Sequence, residues 1–108
     1  MAGDTQQVAS HFFAAARSLA YHSGNLQERL ADAYADHLLT VTINDLPVEL
    51  QSSFRELEEH LNREPASADE DDDPFQAAAR ELSDTQARAL IDSILLLYGR
   101  LAASMRAA

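Results

Sequence analysis

The sequence predicts an all-α fold: a small bundle of four to five helices in a single domain covering residues 1–108. Three observations carry this expectation. Apolar residues recur at intervals of three and four along most of the chain, the spacing of one helical face. Only three glycines and three prolines interrupt the 108 residues, and two of the prolines and one of the glycines stand between the periodic stretches. Side chains that cap helices stand just ahead of several stretches.

The first helix is expected over Asp4 to His22, with Val8, Phe12, Ala15, Ala16, Leu19 and Ala20 on its apolar face. Ser23-Gly24-Asn25 ends it, with Gly24 expected in the left-handed conformation and Asn25 as the next N-cap. Glu28 lies three residues after Asn25 and completes a capping box. The second helix is expected from Leu26 to Thr40, burying Leu26, Leu30, Ala33, Tyr34, His37, Leu38 and Val41. Asp32 and Asp36 lie opposite, with Arg29 to offset them. The β-branched Thr40-Val-Thr-Ile43 weakens a helix end and reads as a short extended connection with no partner strand.

Asn44-Asp-Leu-Pro47 reads as a helix start, because a proline loses nothing in a first turn whose amides are unpaired. Glu49 favours the positive end of the helix dipole. Leu50, Phe54, Leu57 and Leu61 then form the stripe of a third helix reaching Asn62. Residues 63–73 hold no apolar side chain larger than alanine apart from Pro65, and are expected to form an acidic, solvated loop. Pro74 opens a short helix over Phe75 to Leu82. Ser83 with Gln86 forms a second capping box, leading into a last helix from Asp84 to Ser104. Its predicted main stripe is Ala87, Leu90, Ile91, Ile94, Leu95, Tyr98, Leu101, Ala102 and Met105. Leu96 and Leu97 fall outside it, and a helix apolar on several sides asks for burial on several sides. Such a helix is either central to the bundle or shared with a partner. For the second case the expected homodimer seam is Leu96, Leu97, Tyr98 and Leu101. Gly99 is either a tolerated glycine or the mark of a close helix approach beside Tyr98.

Eighteen carboxylates face eight arginines and no lysine, for a formal charge of −10. That balance argues against direct binding of nucleic acid, which needs cations to replace phosphate counterions, and against adsorption on anionic lipid. Residues 44–73 alone contain eleven acids and two arginines. The absence of cysteine excludes disulfides, thiolate metal sites and thiol nucleophiles. The stretch from Val8 to Ala20 is broken by Ser10, His11, Arg17 and Ser18 and has no basic leader, so no secretory signal is expected. The apolar run Ile94 to Tyr98 falls far short of the ~18 residues a bilayer span requires. A cytoplasmic protein is expected, and the lysine-free composition with 20 alanines suggests a GC-rich bacterial source.

Catalytic and metal signatures are sparse. His11, His22, His37 and His60 form no H-E-x-x-H pattern, and no Glu-x-x-His pair occurs. Glu56, His60 and Glu64 are spaced four apart, which reads first as surface ion pairing and only second as a metal cluster. Asp69, Asp71 and Asp73 match the first ligand positions of a calcium loop. Pro74 then replaces the required glycine and Arg80 the closing glutamate, so no calcium switch is expected. No G-x-S-x-G or phosphate-binding glycine loop occurs. The expectation is therefore a non-catalytic interaction or regulatory protein without cofactor, acting on another protein. An alternative is an acidic decoy that occupies a partner's basic, nucleic-acid-binding surface. The candidate partner-binding residues are Glu56, Glu58, Glu59, Asp69, Glu70, Asp71, Asp72 and Asp73. A metal-dependent helical enzyme ranks below both.

Overall fold

A computed structural model describes residues 5–63 and 73–107. Among them the chain forms five α-helices and no strand: α1 (Thr5–Tyr21), α2 (Leu26–Ala33), α3 (Val48–Leu61), α4 (Pro74–Arg80) and α5 (Asp84–Ala107). A π-helical turn (Tyr34–Leu38) extends α2, and a 3₁₀ turn (Ile43–Asp45) precedes α3. The all-α bundle expected from periodicity is the observed architecture.

The caps explain where the helices begin. The Asn25 side chain accepts from the Glu28 amide at 2.8 Å while Glu28 Oε1 accepts from the Asn25 amide at 3.3 Å. Ser83 and Gln86 repeat the reciprocal pair at 3.0 and 2.9 Å. Asp73 caps α4, its carboxylate accepting from the amides of Phe75 and Gln76, with Pro74 in the first turn. Pro47 stands one residue ahead of α3, and its carbonyl accepts from Leu50 at 2.9 Å.

Helix α5 is central, packing against α1, α2 and α3, while α4 lies on α2 and α3. One cluster of buried side chains joins all five helices, among them Phe12, Leu30, Tyr34, Phe54, Leu57, Ala79, Ile94, Leu97 and Leu101. Phe12 meets Phe54 edge-on with centroids 5.9 Å apart, linking α1 to α3. Ala77, Ala78 and Ala79 are all buried, so α4 approaches its neighbours through small side chains. Polar clasps fix the relative positions. Gln27 Nε2 donates to the Leu82 carbonyl and to Asp84, and Gln76 Nε2 donates to Asp32 at 2.7 Å.

Four expectations are corrected. The second helix does not run uniformly to Thr40; its last turn widens at Tyr34–Leu38. Tyr34 and Leu38, at the two ends of that turn, are both buried in the core. Gly24 is not left-handed, since no glycine among the described residues has positive φ. It is small because the His22 ring lies against it: an added Cβ would meet ring Cε1 at 2.8 Å and Glu28 Cβ at 3.0 Å. Arg29 does not offset Asp32, because its Nε donates to the Gly24 carbonyl at 2.7 Å. The stripe of α5 is also rotated from the predicted one. Ala87, Leu90, Ile94, Leu97 and Leu101 are buried, whereas Leu95 and Leu96 are exposed. Three neighbouring helices choose that line, and the apolar content of α5 alone cannot.

Candidate functional site

The proposed seam is divided by this rotation. Leu97 and Leu101 lie in the chain's own core, at 2% and 0% exposure, and are unavailable to a partner. Leu96 is 65% exposed and borders a shallow cleft between α3 and α5 with Glu49, Ser53, Ser93 and Arg100. Tyr98 is half-buried and turns toward α1, its ring 5.7 Å from that of Phe13. An added Cβ at Gly99 would meet nothing within 4 Å, so no close approach within the chain requires this glycine.

Four of the eight acidic candidates lie among the described residues. Glu56 and Glu59 are exposed on α3, and Glu58 is half-buried. Asp73 serves as the cap of α4. Asp69, Glu70, Asp71, Asp72 and Glu64 lie outside the described residues. His60 keeps Nδ1 buried without a hydrogen-bond partner, and no group of three or more metal-ligating side chains assembles among the described residues.

A second set of residues, missed in the sequence, lies on the outer side of α1. Phe13, Arg17 and Tyr21 stand four apart, and the Arg17 guanidinium lies over both rings, 5.8 Å from Phe13 and 5.6 Å from Tyr21. Phe13 is 46% and Tyr21 77% exposed. With Tyr98 and the exposed Leu95 of α5, Phe13 makes a strip along the α1–α5 junction. The signal was present as an i, i+4, i+8 series of two aromatics and a cation beside the core stripe. The neighbouring Phe12 supplies the core aromatic of α1, so Phe13 lies outside the core periodicity.

The most connected polar group is also one that sequence spacing did not show. His22 Nδ1 accepts from the Gly24 amide at 2.8 Å, and its Nε2 donates to Asp32 Oδ2. Asp32 in turn accepts from Gln76. Both ring nitrogens are therefore engaged in joining the α1–α2 turn to α2 and α4. Tyr34 accepts from Asn62 Nδ2 at 2.7 Å and packs on Phe75. Burial pushes its hydroxyl above the usual 10.0; the Asn62 hydrogen bond opposes that rise and the Glu58 carboxylate adds to it.

Among the described residues, clefts of about 150, 210 and 240 Å³ open at the surface, each below the ~300 Å³ at which usual small-molecule sites begin. No helix among the described residues is long and apolar enough to cross a membrane. No protein family matches the chain, and neither a curated protein nor a solved structure matches it.

Proposed function

We propose that this chain is a non-catalytic interaction module that binds another protein in the cytoplasm. The carrying observation is the α1–α5 strip, where Phe13, Leu95, Tyr98 and the ring-stacked Arg17 remain at the surface after the core is complete. Aromatic residues and arginine supply most of the binding energy at protein interfaces. Burial of Leu97 and Leu101 leaves Leu96, on another side of α5, as the exposed member of the homodimer seam expected from the sequence.

The test is a photo-crosslinking residue in place of Leu95, expressed in the cells that make the protein. Covalent attachment to another protein, abolished by Phe13→Ala, is the expected result. Attachment to nothing rejects the reading. Light scattering over a wide concentration range tests the homodimer separately.

The acidic-decoy reading rests on a different surface. Glu49, Glu56 and Glu59 are exposed along α3, and dense carboxylates steer association with a basic groove. Capture of a nucleic-acid-binding protein that is lost in high salt and in Glu56→Gln/Glu59→Gln would favour it.

A further inference from the structure

We propose that the α1–α5 strip is the docking site for an acidic amphipathic helix of a partner protein. The apolar side of that helix would rest on Phe13, Leu95 and Tyr98, with its carboxylates meeting Arg17 and Arg88. This deepens the interaction reading above and rests on it.

Charge selects the sign of the partner. Helices α1 and α5 together carry four arginines and two carboxylates, while the rest of the chain carries four arginines and sixteen carboxylates. Of the two, Asp84 accepts from Gln27 Nε2, and Asp92 is exposed one turn after Arg88. Arg17 and Arg88 are both exposed. Arg88 stands seven residues, two turns, before Leu95 and so shares its side of α5. The strip thus carries two arginines, Arg17 and Arg88, to one carboxylate, Asp92, on a chain whose remainder is strongly acidic. A basic helix would be drawn to α3 instead.

Backbone geometry selects the shape. The strip is the junction of two helices, whose amides and carbonyls are spent internally, and it offers no sheet edge for strand addition. The occupant must satisfy its own backbone, as a helix does. An anionic lipid surface would face the −10 charge of the whole chain.

The direct probe is a peptide of about five helical turns, leucine on one face and glutamate elsewhere, titrated into the full isotopically labelled chain. The expected result is amide shifts confined to residues 13–21 and 88–98, with binding weakened about tenfold or more by Arg17→Glu, as for truncation of a close charge pair. Arg17 is exposed, so the substitution leaves the fold intact, and circular dichroism checks this. Equal or tighter binding of the lysine counterpart at the strip overturns the proposal. So does absence of binding, adsorption of the strip on phosphatidylglycerol vesicles, or self-association abolished by Leu95→Asp. The crosslinked peptide from the Leu95 experiment separates the two levels. An adduct on a basic or uncharged segment overturns the acidic-helix proposal alone, whereas no protein adduct overturns the interaction reading beneath it.

Discussion

At the scale of single residues, Gly99 within α5 and Gly24 in the α1–α2 turn face opposite consequences. Gly99 sits in α5 with open space where a Cβ would go, so its cost is only that of glycine in a helix. Gly99→Ala is expected to stabilise the fold by about 1 kcal/mol, read from the urea midpoint. Gly24→Ala is expected to destabilise it, because the added Cβ meets a His22 ring held by two hydrogen bonds. Tyr34 gives a pH-dependent case. Its folded-state pKa is raised, so the neutral phenol is the form the fold prefers. Its contribution is fully present below pH 10, the unfolded value, and is lost as pH rises through the folded value. Denaturation midpoints should therefore fall above pH 10, and fall less in Tyr34→Phe. At neutral pH that variant should lose about 1 kcal/mol with the Asn62 hydrogen bond.

At the scale of elements, the helix starts follow from local chemistry and the helix faces do not. Ser83→Ala removes the acceptor for the Gln86 amide and should cost about 1 kcal/mol, measured by chemical denaturation. That effect needs no knowledge of packing, and the Ser83–Gln86 and Asn25–Glu28 boxes were legible in the sequence for the same reason. The stripe of α3 was legible too, because Leu50, Phe54, Leu57 and Leu61 are the only large apolar residues available between Glu49 and Leu61. In α5 the run Ile94-Leu-Leu-Leu97 offers apolar residues in every direction. Periodicity cannot choose among them, and α1, α2 and α3 choose Ile94 and Leu97 while leaving Leu95 and Leu96 outside.

At the scale of the whole molecule, charge and core are separable. Glu56 and Glu59 are exposed, and neither contributes to the buried cluster. The double variant Glu56→Gln/Glu59→Gln should alter stability by no more than about 0.5 kcal/mol, as surface substitutions usually do. A large loss by thermal denaturation would show that α3 needs its acids for folding. Phe54→Ala, in contrast, removes a fully buried ring that meets Phe12 and should cost about 3–5 kcal/mol.

The sequence by itself determined the helical class, the caps at Asn25 and Ser83, the core stripe of α3 and the acidic balance. Each is encoded within a few residues, where spacing and side-chain chemistry act directly. Only the tertiary structure decided which side of α5 is buried, that His22 joins Asp32, which accepts from Gln76, and that Phe13 meets Tyr98 across the α1–α5 junction. Those facts depend on residues tens of positions apart meeting across helices. Their meeting depends on how the helices pack, which no local pattern specifies.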